Sequence, residues 1–336
     1  MRAFVVFGPG RAGVIDVPAP LPAPDEVVVA VERVGLCGTD AEFYTGDMAY
    51  LRTGDATYPM RLGHEWAGRI VALGARVEPV WAGRRVTGDT MLGCQQCSRC
   101  RAGKQHVCAD RAEVGVRRGR PGALAEQLAV PVWSLQELPD EVDATKGALV
   151  EPGANSWRAV DASGVGAGSR LVVIGPGTIG LLCAMLARAR GASVVVVGIN
   201  DASLEFAKSL GFGVARATAG LGTGVFDAAI DATNAASTPS RAVELVQPGG
   251  RVVFIGLSAE PSLIDSRALV LADLTAVGIL SGSPALAATV SAYRDALVDP
   301  SLLVSATVGL AEAEAVLAGR RPAPDRGPKI HVDPRR

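Results

Sequence analysis

The chain has 336 residues, 49% of them apolar, which is enough for about two domains with a full core in each. Its formal charge is −1, so no global basic field draws it to nucleic acid or to an anionic membrane. No apolar run approaches the length of a spanning helix, and the start lacks the basic head, apolar stretch and cleavage site of a secretion signal. A cytoplasmic protein with neither nucleic-acid nor membrane partners is expected.

Met1–Phe7 reads as a short strand ending at Gly8-Pro9-Gly10. Pro18, Pro20, Pro22 and Pro24 form an extended link to the β-branched run Val27–Val34. Strands and loops punctuated by Gly and Pro continue to about residue 150. The character changes near residue 165. Leu171–Ile174 suits a buried parallel strand, a glycine turn follows, and a helix is expected from Thr178 to about Arg190. Next come Ser193–Gly198 (strand), Ala202–Leu210 (helix), Phe226–Asp231 (strand), Pro239–Val246 (helix) and Arg251–Gly256 (strand). Such alternation implies a doubly wound parallel sheet covered on both faces, an α/β unit beside a β-rich one. From about residue 296 the pattern is irregular, and the tail with Pro322, Pro324 and Pro328 is expected to pack back on the first domain.

Four of the six cysteines, Cys94, Cys97, Cys100 and Cys108, have the spacing C-x2-C-x2-C-x7-C. Four thiolates close a tetrahedron around Zn²⁺ at about 2.3 Å and leave no open position, so that ion is structural. Gly93, Ser98 and Gly103 let the loop wrap closely, while Arg99, Arg101 and Lys104 offset thiolate charge. An iron–sulfur cluster or unligated thiols are the alternatives.

A second, open site is offered by Cys37 in Gly35-Leu36-Cys37-Gly38-Thr39-Asp40, by His64 and Glu65 after Gly63, and by Glu151 before Pro152. One sulfur, one nitrogen and two carboxylates suit zinc. Three of them with an exchangeable fourth position make a catalytic site, with either Glu65 or Glu151 as third ligand. Asp40 is placed to accept the second ring N–H of His64. Singly, each residue has an ordinary use in a core or ion pair, and their joint presence carries the reading.

Gly175-Pro176-Gly177-Thr178-Ile179-Gly180 matches G-x-G-x-x-G between a strand and a helix, the context that gives this motif value. The first glycine makes the turn, the second admits a pyrophosphate, and the third packs helix on strand. The acid that selects NAD belongs at the end of the next strand, where Gly198 stands, with Asn200 and Asp201 just beyond. The expected cofactor is therefore NADP or NAD, with a tilt to NADP.

In chain order, Gly35-Leu36-Cys37-Gly38-Thr39-Asp40, Gly63-His64-Glu65, the four-cysteine lobe, Glu151-Pro152 and the glycine turn are five motifs that together resemble the zinc-dependent alcohol dehydrogenases of the medium-chain dehydrogenase/reductase superfamily, from the first strand to about residue 260. The resemblance implies a GroES-like β-barrel catalytic domain (residues 1–153 and 296–336, zinc lobe 93–109) and a Rossmann domain (154–295), with the active site between them. It implies two Zn²⁺ per chain, a small alcohol or carbonyl substrate, and a homodimer or homotetramer joined through the Rossmann sheets. Glu151, standing where enzymes for simple primary alcohols carry cysteine, looks like the polyol (sorbitol) and threonine dehydrogenase branch. That suggests a secondary hydroxyl on a polyol, sugar or amino alcohol.

Departures from the family pattern are Arg84 in Gly83-Arg84-Arg85-Val86, Glu42 in place of a proton-relaying histidine, and Arg158 in place of a frequent histidine. Thr39 is placed to take the substrate's proton and pass it towards the cofactor ribose, or else to hydrogen-bond backbone in its own turn. Glu42 either carries the proton itself or faces solvent as an ordinary charged residue. Phe43, Tyr44, Trp66, Trp133 and Trp157 are available for a pocket wall, with core packing the commoner use of each. The rival functions are a zinc-independent quinone or enone reductase on the same fold and a non-catalytic zinc- and nucleotide-binding protein.

Overall fold

Two sheets organise the chain, and the computed structural model describes residues 1–322 and 327–336 of it. The first sheet has seven strands. Val304–Val308, Lys329–Val332, Glu26–Leu36, Glu65–Leu73, Arg85–Gly88 and Leu135–Glu137 follow one another across it, and Gln127–Pro131 also pairs with Glu26–Leu36. One edge of Glu26–Leu36 thus serves two partners. Gln127–Pro131 lies beside Glu26–Ala30 and the late strand Lys329–Val332 beside Val34–Leu36. Register irregularities between Val28 and Val29 and between Val31 and Arg33 bend the strand, which is how such a sheet curls toward a barrel.

The second sheet has six strands, all parallel, in the order Gly213–Arg216, Ser193–Gly198, Arg170–Ile174, Phe226–Asp231, Val246–Phe254, Thr275–Gly278. In chain order this is 3-2-1-4-5-6, the doubly wound arrangement whose ligand crevice opens where the order reverses, outside the carboxyl ends of the strands. Alternate side chains feed two cores. Leu171, Val173, Val196, Ala228 and Ile230 pack on one face, and Val172, Ile174, Val197, Ala229 and Val252 on the other.

The strands and helices expected from residue 170 to 254 are present with ends moved by a few residues. Gly213–Arg216 and Thr275–Gly278 were not foreseen, and neither was the hairpin partner Arg11–Asp16, so the proline link joins that second strand to Glu26–Leu36. The helix Val150–Ser163 was not foreseen either, and it carries Pro152 and Gly153 near its start. Pro152 falls in the first turn, where a missing N–H costs nothing. Gly153 is required because an added Cβ would come within 2.0 Å of the Tyr293 hydroxyl oxygen. That hydroxyl in turn donates to the Leu149 carbonyl at 3.1 Å. Ser283 Oγ donates to Asp89 Oδ1 at 2.8 Å, a second tie between the two halves. The late chain does return to the first sheet through Lys329–Val332, although Pro324 of the tail lies outside the described residues. Among the described residues no helix is long and apolar enough to cross a membrane.

Candidate active site

Cys37 directly follows the first sheet's longest strand and caps the helix Gly38–Thr45. Asp40, wholly buried in that helix, accepts the Cys37 N–H at 3.0 Å and the Gly63 N–H at 3.2 Å, so one carboxylate ties the Cys37 turn to the His64 turn. Cys37 Sγ then lies 3.2 Å from His64 Nε2. His64 Nδ1 is 3.7 Å from Asp40 Oδ1, too far for a hydrogen bond, and has no other partner among the described residues. At that distance Asp40 faces the ring as a charge and not as a hydrogen-bond acceptor, while its two oxygens each hold one backbone amide.

Ligand atoms of Cys37, His64 and Glu65 all lie within 4.8 Å of one another. Glu65 is 3% exposed, and its Oε2 meets Lys329 Nζ at 2.5 Å; Lys329 also donates to the Leu36 carbonyl at 3.0 Å. Gly35 makes room for this carboxylate, since an added Cβ would sit 2.1 Å from Glu65 Oε2. Glu151 is outside the three-residue group. It lies in the first turn of Val150–Ser163, partly exposed, with Oε1 accepting from Asn155 Nδ2 at 2.9 Å.

The electrostatics describe a pocket short of positive charge. Burial raises the Cys37 thiol above its ordinary range, against the opposing pull of His64. Burial alone would lower His64, but the neighbouring Cys37 and Asp40 outweigh it and hold the ring well above its usual range. Burial, with the Glu65 charge adding and His64 opposing, pushes the Glu151 carboxyl up to about 7. A dication is the group that would relieve several buried acids at once, so the donor set fits Zn²⁺.

Thr39 is partly exposed, and its hydroxyl makes no hydrogen bond among the described residues, so it is not consumed by its own turn. Glu42 lies one turn along the same helix, half-buried, with its carboxyl raised by burial and then by Asp47. Arg158 is turned to the Ser281 carbonyl. Phe43 and Trp66 are core residues, Trp133 is 41% exposed, Trp157 stacks under Arg190, and the Tyr44 hydroxyl donates to Glu314 at 3.3 Å.

In the lobe, Cys94 and Cys100 sulfurs are 4.0 Å apart and those of Cys97 and Cys108 are 3.8 Å apart. Bonds of about 2.3 Å to a central ion give a tetrahedral edge of roughly 3.8 Å, and a disulfide would need about 2 Å. The four sulfurs therefore fit a metal and not a bridge. Gly93 is pressed against the cluster, for an added Cβ would lie 2.7 Å from Cys100 Sγ. Backbone N–H groups of Gln96 and Cys97 lower Cys94 to about 6, while burial lifts Cys100 to about 12. Arg101 is occupied by the Gln96 carbonyl at 2.6 and 2.9 Å.

At the turn after Arg170–Ile174, Gly175 has φ 106, which only glycine adopts easily. Gly177 caps the helix Thr178–Ala189, and nothing lies within 4 Å of where its Cβ would be, leaving open the approach to the amides of Thr178 and Ile179. Gly180 packs directly on Gly175, whose carbonyl oxygen would be 1.8 Å from an added Cβ. The turn can therefore hold a dinucleotide pyrophosphate. At Gly198 an added Cβ would meet Pro176 Cγ at 2.7 Å, so the proline of the turn itself excludes an acid there.

Lys329 was missed as a site residue. Its signal was a lysine opening an apolar strand near the end of the chain, but its partner lies 264 residues away, which no local pattern reveals.

The family described as "Alcohol dehydrogenase GroES-like domain" matches residues 23–140, and "Zinc-binding dehydrogenase" matches residues 178–297. An L-threonine 3-dehydrogenase from Saccharopolyspora erythraea is 34% identical over 291 residues, 83% of each chain. One from Deinococcus deserti is 31% identical over 284 residues, 80% of this chain and 81% of the relative. A zinc-binding dehydrogenase from Sinorhizobium meliloti 1021, solved with NADP bound, superposes with a TM-score of 0.89 at 29% identity over 99% of both chains.

Proposed function

The chain belongs to the zinc-binding alcohol dehydrogenase family, a GroES-like unit joined to a Rossmann unit, and we propose that it oxidises a polar secondary alcohol such as a polyol, sugar or amino alcohol. The activity is an NAD(P)-dependent transfer of hydride between CH–OH and C=O. The observation that carries the site assignment is the meeting of Cys37, His64 and Glu65 donors within 4.8 Å. When bound there, Zn²⁺ makes a hydroxyl acidic and the nicotinamide accepts the hydride.

The chain's own residues divide the remaining work. Cys37 and His64 hold the ion. Glu65 is the third ligand, because a carboxylate has two oxygens and only Oε2 is given to Lys329. Glu151, close enough to feel the charges of His64 and Glu65, is a second carboxylate able to exchange with the latter. Thr39 Oγ1 takes the substrate proton, and Glu42, three residues on along the helix, receives it at the solvent side. Cys94, Cys97, Cys100 and Cys108 hold a second, structural Zn²⁺.

Gly175, Pro176, Gly177, Thr178, Ile179 and Gly180 cradle the pyrophosphate, with Gly198 and Asn200 beside the adenosine ribose. The lack of an acid at Gly198 and the NADP held by the S. meliloti neighbour favour NADP. L-threonine is the substrate named for the two relatives above and belongs among the first compounds tried. The edge strand Thr275–Gly278, with Val270 and Leu271 exposed close before it, is the surface on which two copies join.

A spectrophotometric screen of secondary alcohols with NAD and NADP tests the whole reading. Turnover is expected with at least one amino alcohol or polyol and is expected to vanish in Cys37→Ser while the fold survives. Full turnover by Cys37→Ser would remove the proposed metal site.

A further inference from the structure

The carboxyl end of Ser193–Gly198 is organised by the next strand of the sheet. Gly213–Arg216 runs parallel to it and places Arg216 opposite Gly198. The Ala217 N–H donates to the Gly198 carbonyl at 2.7 Å, and Ala217 takes a left-handed φ of 56 to make that closure. Arg216 thereby leaves the sheet at the strand end, where its guanidinium pairs with Asp201, the first residue of the helix Asp201–Ser209. The Asn200 side chain is already used, capping that helix through the Ser203 N–H at 3.2 Å.

In a sheet of this order the adenosine ribose lies at the end of the second strand, where an acid binds a 2′-hydroxyl and an arginine accommodates a 2′-phosphate. Here the acid has moved three residues on, the arginine arrives from the neighbouring strand, and each occupies the other. We propose that Arg216 reads the 2′-phosphate of NADP, with Asp201 acting as an internal substitute that holds the guanidinium until the phosphate displaces it. This rests on the dinucleotide site proposed above.

The exchange has a favourable direction. Both side chains are largely exposed, at 64% and 76%, and an exposed ion pair is weak. A phosphate offers more charge and three acceptor oxygens against the two of a carboxylate. With NAD there is nothing to displace Asp201, so the pair stays closed and the 2′-hydroxyl is left beside a carboxylate. The chain then accepts both dinucleotides, and the contest between Asp201 and phosphate sets the preference.

The test is direct binding of NADPH and NADH to the zinc-loaded full chain, read by nicotinamide fluorescence, so no alcohol substrate is needed. Arg216→Met is expected to weaken NADPH about tenfold or more while NADH stays within about threefold. Asp201→Asn, which frees the guanidinium, is expected to tighten NADPH by about threefold or more. Weakening of both dinucleotides alike by Arg216→Met, or weaker NADPH binding by Asp201→Asn, overturns the assignment. If the wild-type chain binds both and neither variant moves their ratio, the selector alone falls. If it binds neither, the dehydrogenase reading falls with it.

Discussion

Lys329 Nζ lies 2.5 Å from Glu65 Oε2, with the two side chains 2% and 4% exposed. A cation so deeply placed is tolerable only beside an anion, and burial, which alone would lower its pKa, is outweighed by Glu65 and then Cys37. The same contact leaves Oε1 as the oxygen of Glu65 open to the proposed ion.

Breaking that pair from one side should cost more than removing it altogether. In the metal-free chain Lys329→Met is expected to lose about 3–5 kcal/mol of stability, because it strands a buried carboxylate. Lys329→Met combined with Glu65→Gln is expected to recover at least about half of that loss. Denaturant unfolding of wild type, both single variants and the double variant checks it; strictly additive losses would show that the residues do not act as a pair.

The lobe gives a sharper steric test. Gly93→Ala would press a methyl to 2.7 Å from Cys100 Sγ, so the cluster must open to accept it. Zinc analysis is expected to fall from about two ions per chain toward one, with the Cys37 site still loaded. Two ions retained in Gly93→Ala would mean that the loop gives way without cost.

His331 should make stability depend on pH. It is fully buried, both ring nitrogens lack partners among the described residues, and burial followed by Lys329 and Arg33 holds its pKa down to about 3. The unfolded chain takes up the proton near pH 6.5, so between about 6.5 and 3 the unfolded state binds more protons than the native one. The contribution is therefore complete above about pH 6.5 and declines as the pH falls, by at most about 1.4 kcal/mol per unit. His331→Leu is expected to flatten the denaturation midpoint between pH 7 and pH 5 relative to wild type; parallel curves would refute the assignment.

Gly198 predicts an unsuccessful substitution. Gly198→Asp, the simple route to NAD preference, is expected to weaken both dinucleotides, because its Cβ meets Pro176 Cγ at 2.7 Å and must push the pyrophosphate turn. Adding Pro176→Ala is expected to restore binding with a preference for NADH. Titration of both nucleotides into the two variants decides it.

Much of this was legible from local pattern. The strands from residue 170 onward announce themselves by short β-branched runs, and the cysteine lobe and glycine turn by spacing alone. What stayed hidden was set by distant partners. Val150–Ser163 was not foreseen, and the places of Pro152 and Gly153 in it are explained only by the first turn and by Tyr293. Asp40 was seen as a site residue, but its hold on the Cys37 and Gly63 amides could not be deduced, since it depends on how two distant turns meet. Arg216 was overlooked because the register of parallel strands, not closeness in sequence, brings it to Gly198.

The late strand Lys329–Val332 has a consequence for biogenesis. A growing chain can pair the strands between residues 170 and 278 as they leave the ribosome, since each finds its neighbours nearby. The metal pocket has to wait, because the countercharge to Glu65 is translated 264 residues after it. During that interval the nascent pocket holds an acid without its ammonium partner, and a chain halted before Lys329 carries a finished nucleotide fold beside an unfinished catalytic one.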